Sequence, residues 1–358
     1  MTSLPRSMSS NVSALVLGVA VFIAACTRDG ESPPASAQPE APPTANLSLT
    51  VYTTIPSSQI QPVLDAYAAE TGMKPRLVSP GAVQPAALAD GSSALPDADL
   101  LLATSLGEMW QFADMDGFRP TFAESIDDNI PQVYRDAESR WTALATKARI
   151  VVYNTEIVDI EALDSVDGYD ALGDERWRGR LCLSSSRVPD NQALIAFLIR
   201  KQNVRDAELM VRSWRANLAT AVFTDDLALL KAISDGQCAI GIAGTNTLST
   251  YLSRNAGAPV APHGFSNPDS MLIDASGGGV GRHAHNPDDA ADLLAWLTTR
   301  DPNALYAAQN NEFPANPEAP LSRSVESWRD MVAAPVSMSA LGFLHEDAVL
   351  LAERARYP

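Results

Sequence analysis

Polar side chains cluster in three short segments of the sequence, and each segment follows an apolar stretch that predicts a β-strand. Because parallel strands end at the same edge of a sheet, the hydroxyl, amide and carboxylate groups of such segments can bind a small solute together. Any one segment is better explained as a helix cap, since caps use the same residue types. Three together favour a shared ligand-binding cleft. Its candidate residues are Thr53, Thr54, Ser57, Asp190, Asn246 and Thr247.

The sequence offers no residue set that is typical of catalysis. It has no Gly-x-Ser-x-Gly motif, its four histidines are scattered, and no two carboxylates stand out as an acid and base pair. His283 and His285 lack the cysteine or acidic partners of a zinc site, and the glycine-rich residues 277–281 lack the Lys-Ser/Thr of a P-loop. We therefore expect a binding protein rather than an enzyme.

Strands and helices alternate along the chain from residue 47 onward. Residues 57–71 place apolar side chains at helical spacing, and Gly72 marks the end of this helix. A helix is predicted at 225–237, between strands at 179–186 and 238–244. The alternation predicts an α/β fold with mostly parallel sheets. The apolar positions of the first helix are Ile60, Val63, Leu64 and Tyr67.

The amino terminus has the form of a bacterial lipoprotein signal. Arg6 supplies a positive start, a short apolar core follows, and Ala24 and Ala25 stand directly before Cys26. We therefore expect residues 1–25 to be a signal peptide and Cys26 to be the lipidated first residue of a periplasmic protein. The alternative is an ordinary cleaved signal in which the cysteine is incidental.

Residues 26–46 continue the signal with a run that is rich in proline, serine, alanine and glutamate. Such a composition buries too little apolar surface to fold, so we expect an extended tether. At about 3.1 Å per residue, the tether would hold the folded body up to roughly 60 Å from the membrane. That reach suits a protein that moves between a membrane partner and free solute.

The composition of the chain sets limits on its size class and its partners. With 358 residues, of which 46% are hydrophobic, the chain can form one large domain or two lobes. A net charge of −17 repels the phosphates of nucleic acids and anionic lipid headgroups, so we exclude nucleic acid as a partner. No long apolar segment follows the signal. We expect a monomer that spans no membrane.

Cys182 and Cys238 are the two cysteines that remain when Cys26 carries the lipid. In an oxidising compartment, a disulfide between them is the first expectation. It would close a loop of about 56 residues and stabilise the fold by roughly 4 kcal/mol. Two buried free thiols are the alternative.

Seven segments resemble the periplasmic solute-binding proteins of ferric-iron ABC importers, in the same order and with similar spacing. They read LTVYTT, ARIVVYN, YDALGDERWRGRLCLSSS, DNQALIAFLI, LKAISDGQCAIGIAGTN, SGGGVGRHAHNPDDAADLLAWLTT and NNEFPANP. The resemblance covers nearly the whole chain after the tether. It implies two α/β lobes, residues 47–150 with 277–358 and residues 151–276, which are joined by crossing strands and close around a solute. It also implies an ABC permease as partner and supports a disulfide between Cys182 and Cys238.

The chain departs from this family at the positions where the family binds iron. The family holds Fe(III) with tyrosinates, and the resemblance places Asp190, Asn246 and Thr247 at three such positions. Pro56 and Ser57 stand where the family has a histidine or tyrosine. Asp190 is thus the only carried-over candidate for a metal ligand, and a helix N-cap is an equal alternative for it. A neutral, hydroxyl-rich cleft with one carboxylate suits bare Fe(III) poorly.

These residues and the resemblance predict a lipid-anchored receptor that captures a solute for an ABC importer. The cargo would be an iron chelate or a small organic compound, such as one whose ammonium group pairs with Asp190. Arg149 begins a predicted strand, and we expect it to meet either an anion at the cleft or a surface salt bridge. The alternative function is a sensor or scaffolding lipoprotein that keeps the fold without transport.

Overall fold

Two groups of parallel strands, joined by long antiparallel strands, form the sheet of this protein. The computed structural model describes residues 48–78, 97–329 and 337–358, and Leu47–Pro358 form one compact unit. The strands within the described residues are β1 (Thr50–Thr53), β2 (Arg76–Val78), β3 (Leu100–Ala103), β4 (Thr142–Asn154), β5 (Leu181–Cys182), β6 (Ile240–Gly244), β7 (Val260–His263), β8 (Ile273–Val280) and β9 (Phe313–Pro314).

The sheet has the strand order β2-β1-β3-β8-β4-β6-β5, and β7 and β9 also pair with β4. β1 pairs in parallel with β2 and β3, and β5 pairs in parallel with β6. Every antiparallel pair among the described strands involves β4 or β8. We call the part built on β1–β3 the first lobe and the part built on β5 and β6 the second lobe.

β4 and β8 are the crossing strands of the molecule. The first half of β4 pairs with β8, and its second half pairs with β6 in the second lobe. The lobe boundaries that the resemblance implies, near residues 150 and 276, fall within these two strands. Gly278 shows why β8 is rich in glycine, because a Cβ atom at this position would overlap the carbonyl oxygen of Leu101 on β3.

Twelve α-helices of the described residues cover the sheet. They are α1 (Ser57–Thr71), α2 (Leu106–Asp114), α3 (Glu124–Asn129), α4 (Pro189–Lys201), α5 (Val204–Asn217), α6 (Asp226–Ser234), α7 (Thr245–Arg254), α8 (Pro287–Thr298), α9 (Arg300–Asn310), α10 (Arg323–Glu326), α11 (Met338–Gly342) and α12 (His345–Ala355). Short 3-10 turns are formed by Gln132–Tyr134, Ile160–Ala162, Tyr169–Gly173, Glu175–Trp177 and Pro268–Ser270.

The predicted α/β fold is confirmed, and α1 shows how the sequence specifies it. The helix ends at Gly72, whose φ of 76° is left-handed and whose N–H donates to the carbonyl oxygen of Ala68. Its apolar face packs, together with α8, on β1 and β3. The buried residues of α1 are those that the helical spacing predicts: Ile60, Val63, Leu64 and Tyr67.

The predicted disulfide between Cys182 and Cys238 is confirmed. Cys182 ends β5, Cys238 lies just before β6, and their Cα atoms are 5.9 Å apart. The bond therefore fastens two adjacent strands of the second lobe. The predicted signal peptide, Cys26 and the tether lie outside the described residues. Among the helices that are described, none has the length and apolar character needed to cross a membrane.

Candidate functional site

A cleft of about 290 Å³ lies between the two lobes, at the ends of β1 and β6 and the start of α4. The first lobe contributes Ile55 and Pro56 from the loop between β1 and α1. The second lobe contributes Asp190 from α4 and Asn246 and Thr247 from α7. A larger groove of about 900 Å³ lies between α6 and α7 on the surface, but it holds none of the converging charges described below.

Three of the six predicted ligand-binding residues line this cleft, namely Asp190, Asn246 and Thr247. Asp190 is the second residue of α4, whose N-cap is Val188, so the alternative that Asp190 caps the helix is wrong. Asn246 and Thr247 lie in the first turn of α7, directly after β6. The sequence therefore brings polar groups of two strand ends to one place, as predicted.

The other three predicted residues lie in the first lobe and have different surroundings. Thr53 is buried, and its hydroxyl accepts a hydrogen bond from the N–H of Ile55 at 3.0 Å. Thr54 donates its hydroxyl to the carboxylate of Glu108 at 2.6 Å. Ser57 is exposed at the start of α1. A ligand-binding role of these three residues stays a prediction.

The side chain of Lys147 occupies the centre of the site. Lys147 lies on β4 and is only 3% exposed, although it lines the cleft. Its ammonium donates a hydrogen bond to the carbonyl oxygen of Thr104. The same nitrogen lies 3.4 Å from Asp190 Oδ1, 3.8 Å from Asp274 Oδ2 and 3.7 Å from Glu312 Oε1. One buried cation thus connects three carboxylates from α4, β8 and the end of α9.

Two of these carboxylates are fixed by hydrogen bonds from the fold. Asp274 is paired directly with Lys147 across β4 and β8, and its Oδ1 accepts from the N–H groups of Leu106 and Ala275 at 2.9 and 2.7 Å. Its Oδ2 is buried and has no hydrogen-bond partner. Glu312 accepts from the hydroxyl of Ser276, and from the amide of Asn246 across the lobes at 3.3 Å.

A further buried carboxylate, Glu108 on α2, stands behind the cleft. It accepts hydrogen bonds from the hydroxyls of Thr54 and Thr104 and from the N–H of Thr104 at 2.6–2.8 Å. Burial raises the pKa of Glu108 above its ordinary value, and the hydroxyls oppose that shift. Thr54 therefore serves to hold Glu108 in place.

The carboxylates around Lys147 differ in their affinity for protons. Burial acts to raise the pKa of Asp190, but the charges of Lys147 and Arg149 hold it below its ordinary value. Burial raises the pKa of Asp274 to about 7 and also raises that of Glu312. Burial alone would lower the pKa of Lys147, yet the surrounding carboxylates raise it well above its ordinary value. At neutral pH, the centre therefore holds an ammonium and an ionised Asp190.

Arg149 lies two residues after Lys147 on β4, so both side chains point to the same face of the strand. Arg149 is completely buried and pairs with Asp226, the first residue of α6. The Nη2 atom of the Arg149 guanidinium donates to Asn191 Oδ1 at 2.8 Å. The expected surface salt bridge is therefore wrong, because Arg149 forms a buried ion pair at the wall of the cleft.

The cleft lacks the donor set of a bare ferric site. No tyrosine is among the described residues that line it. Within residues 48–78, 97–329 and 337–358, no three histidine, cysteine, aspartate or glutamate side chains are arranged to hold a metal ion. Hard Fe(III) favours several anionic oxygen ligands that meet at one point. Here the position between the carboxylates is taken by the ammonium of Lys147.

Comparison with known proteins places the chain in a family. A family model described as bacterial extracellular solute-binding protein matches residues 63–333. The chain belongs to this family. Members of this family bind small-molecule or metal solutes and work with ABC permeases. They are not enzymes, so the prediction of a binding protein is confirmed.

Several relatives of this solute-binding protein are named for iron. It is 29% identical over 288 residues to iron uptake protein A1 of Synechocystis, covering 77% of this chain and 78% of that protein. Its fold matches the Trichodesmium protein IdiA (FutA) in complex with iron and citrate with a TM-score of 0.77 at 24% identity, covering 87% and 99% of the two chains. It also matches the open conformation of ferric iron-binding protein A of Mannheimia haemolytica with a TM-score of 0.76 at 21% identity, covering 86% and 98%. These likenesses confirm the two-lobed fold of periplasmic binding proteins.

Sequence reasoning missed the charged centre of this solute-binding protein. The five missed residues come from separate parts of the chain, and four of them are acidic. One signal was present, since Lys147 and Arg149 alternate in a strand that has no other charged residue, and buried charges of that kind need partners. The missed residues are Lys147, Glu108, Asp226, Asp274 and Glu312.

Proposed function

We propose that this protein is a lipid-anchored, extracytoplasmic receptor that delivers a small organic solute to an ABC permease. The observation that supports the proposal most is the cleft between the lobes. The point at which its carboxylates converge is occupied by the ammonium of Lys147, so a metal ion is not needed there. A volume of about 290 Å³ is near the lower end of the range of ligand pockets and suits a small molecule.

The charges of the cleft favour a cationic or neutral cargo. Its lining holds one cation, Lys147, and the four carboxylates of Asp190, Asp225, Asp226 and Glu312, of which Asp226 is paired with the buried Arg149. Clefts that carry an excess of one charge concentrate the opposite charge from solution. An anionic chelate such as ferric citrate is therefore disfavoured, although citrate is named with iron in the Trichodesmium structure.

Asp190 is the group that we assign to a cationic part of the solute. Its side chain is 21% exposed, whereas those of Asp274 and Glu312, the other two carboxylates around Lys147, are 0% and 2% exposed. Asn246, Thr247 and Thr250 line the cleft along α7 with amide and hydroxyl groups, which suit the neutral polar groups of a solute. A solute that is held by Asp190 and also reaches Ile55 and Pro56 of the first lobe would touch both lobes and so favour their closure.

A titration of the purified, ligand-stripped protein tests the class of cargo. Ferric citrate is added while tryptophan fluorescence and visible absorbance are followed, and diamines, amino acids and betaines are then tested in the same way. We expect no response to ferric citrate and saturable quenching or enhancement with an amine-bearing solute. A visible charge-transfer band with iron, or tight binding of ferric citrate alone, would contradict the proposal.

The anchor is tested separately, because it does not depend on the cargo. Cells that express the wild-type chain or Cys26→Ser are fed a radiolabelled fatty acid, and their membrane and soluble fractions are separated. We expect label and membrane association only in the wild type. Unlabelled wild-type protein in the soluble fraction would favour the ordinary cleaved signal.

A further inference from the structure

The carboxylates around Lys147 come from three elements that meet only in the folded protein. Asp190 belongs to α4 of the second lobe, Asp274 to the crossing strand β8, and Glu312 follows α9 in the first lobe. Each has an oxygen within 3.4–3.8 Å of the same ammonium nitrogen. Three carboxyl groups therefore surround one point between the lobes.

One oxygen in this arrangement faces the ammonium of Lys147. Asp274 Oδ2 is completely buried, has no hydrogen-bond partner and faces Lys147 Nζ at 3.8 Å. A buried carboxylate oxygen without a hydrogen bond is costly unless a cation compensates it. The cation that compensates Asp274 Oδ2 is the ammonium of Lys147.

We propose that Lys147 determines the specificity of the cleft, because its ammonium occupies the point between the three carboxylates and so keeps a metal ion from binding there. This inference rests on the proposed function and explains why the cargo would be organic. The ammonium is a compact point charge on a flexible stem, and three carboxylates can share it as they would share a metal ion.

The distances show why a metal ion and Lys147 exclude each other. Metal–oxygen bonds of hard cations measure about 2.0–2.6 Å, which is at least about 0.8 Å shorter than the contacts to the ammonium. A metal ion would therefore have to displace the ammonium before the carboxylates could close on it. Lys147 is only 3% exposed, and its ammonium is held by the carbonyl oxygen of Thr104.

Removal of the ammonium should convert the cleft into a site for a hard metal ion. Lys147→Met keeps much of the length of the apolar stem but leaves the carboxylates of Asp190, Asp274 and Glu312 without their shared cation. Asp190 is partly exposed and belongs to a different lobe from Glu312, so the carboxylates can draw together around a trivalent ion. Lys147→Arg retains a cation and should not create this site.

The test is equilibrium dialysis of purified wild-type protein and variants against Tb³⁺, at about 0.15 M salt to screen the acidic surface. Lys231→Met is the matched control, because Lys231 also pairs with a carboxylate, that of Asp235 at 2.7 Å, but is 68% exposed. We expect Lys147→Met to bind roughly one more Tb³⁺ per chain than the wild type, Lys147→Arg and Lys231→Met. Addition of Asp190→Asn to Lys147→Met should abolish the extra ion.

Two results would overturn the inference. One is a folded Lys147→Met protein that binds no more Tb³⁺ than the wild type. The other is a wild-type protein that binds Tb³⁺ in a way that Asp190→Asn removes. If Lys147→Met does not fold, the double variant Lys147→Met/Asp274→Asn takes its place. Its net charge equals that of the wild type, and its Tb³⁺ binding is compared with the wild type in the same way. Failure here leaves capture of an organic solute intact, whereas tight iron binding by the wild type would contradict both proposals.

Discussion

The guanidinium of Arg149 and the carboxylate of Asp226 form a buried ion pair that joins β4 to the start of α6. Arg149 is completely buried, and Asp226 also accepts hydrogen bonds from the hydroxyl of Ser184 at 2.8 Å and the N–H of Gly244 at 2.9 Å. The pair therefore fixes three segments of the second lobe on the crossing strand. Because Asp226 lines the cleft, the geometry of the cleft depends on this pair.

Arg149→Ala should lower the free energy of unfolding by about 3–5 kcal/mol, since it leaves Asp226 buried without its partner. Urea denaturation followed by far-UV circular dichroism measures the loss. Arg178→Ala is the control, because Arg178 pairs with Glu175 on the surface, where the two side chains are 65% and 78% exposed. It should cost no more than about 1 kcal/mol. Equal losses in the two variants would contradict the assigned role of the buried pair.

Removal of the disulfide should destabilise the second lobe without changing its fold. Cys182 and Cys238 are 56 residues apart in the sequence, so the chain-entropy model predicts a loss of about 4 kcal/mol in Cys182→Ala/Cys238→Ala. Urea denaturation of the variant and of the wild type gives the difference. Treatment with a reductant should lower the stability of the wild type toward that of the variant and leave the variant unchanged. A variant as stable as the oxidised wild type would contradict the prediction.

Asp274 should make the stability of the protein fall as the pH rises toward neutrality. Burial raises its pKa from 3.8 to about 7, so the folded protein holds this proton more tightly than the unfolded chain. The resulting stabilisation is complete below pH 3.8 and is lost as the pH rises through about 7. Asp274→Asn removes this titration. As the pH increases from 4 to 8, the wild type should lose stability and the variant should not. The difference in melting temperature, variant minus wild type, should therefore grow by about 2–4 °C for each kcal/mol of unfolding free energy that the wild type loses.

Asp99→Asn is a control with the opposite sign. Burial acts to raise the pKa of Asp99, but hydrogen bonds from Asn286 and Thr50 hold it below its ordinary value of 3.8. Its stabilisation is present above pH 3.8 and is lost only below that value. Asp99→Asn should therefore show a constant deficit in melting temperature between pH 4 and 8. Parallel curves for the two variants would rule out Asp274 as the source of the pH dependence.

Gly107→Ala should force the two lobes apart. Gly107 lies in the first turn of α2, and a Cβ atom there would overlap the carbonyl oxygen of Pro189 at the start of α4. Because backbone atoms cannot move aside cheaply, we expect a loss of about 1–3 kcal/mol and a larger radius of gyration in small-angle scattering. Gly72→Ala is the control, since a Cβ there meets nothing within 4 Å and only its left-handed φ is strained. An unchanged radius in both variants would contradict a close approach of the lobes.

The sequence predicts the elements of this fold well because their signals are local. The helical spacing of α1 and the glycine at its end lie within sixteen consecutive residues, 57–72, and the structure follows both. The glycine-rich run at 277–279, in contrast, is explained only by the fold, because the distant strands β3 and β4 approach β8 closely on both sides. The disulfide needed one further assumption, an oxidising compartment, which the predicted signal peptide suggested.

The charged centre could not be predicted, because its residues are far apart in the sequence. Lys147, Asp190, Asp274 and Glu312 span 166 positions and meet only when β4 pairs with β8 and α4 packs beside them. Among the carboxylates of this centre, Asp190 alone carried a signal, since it follows a strand at a position that the resemblance makes important. Even so, the sequence did not reveal that Asp190 pairs with Lys147.

Asp190→Asn should weaken solute binding while leaving the fold intact. Its carboxylate lies 3.4 Å from Lys147 Nζ, but Asp274 and Glu312 still compensate the ammonium when Asp190 is neutral. A hydrogen bond between a charged pair contributes about 1.5–3 kcal/mol, so the Kd for the amine-bearing solute found by titration should rise about 10- to 150-fold. Tryptophan fluorescence measures the Kd, and the melting temperature reports on the fold.

Asp225→Asn is the matched control for this prediction. Asp225 lines the same cleft, but its carboxylate caps α6 by accepting from the N–H of Ala228 at 2.8 Å, and asparagine caps helices equally well. Its Kd should therefore stay within about twofold of the wild type, since a rim charge contributes little to affinity. If Asp225→Asn weakens binding and Asp190→Asn does not, the cation of the solute binds at the rim of the cleft and the assignment to Asp190 is wrong. If neither variant changes the Kd, recognition rests on the neutral wall formed by Asn246, Thr247 and Thr250.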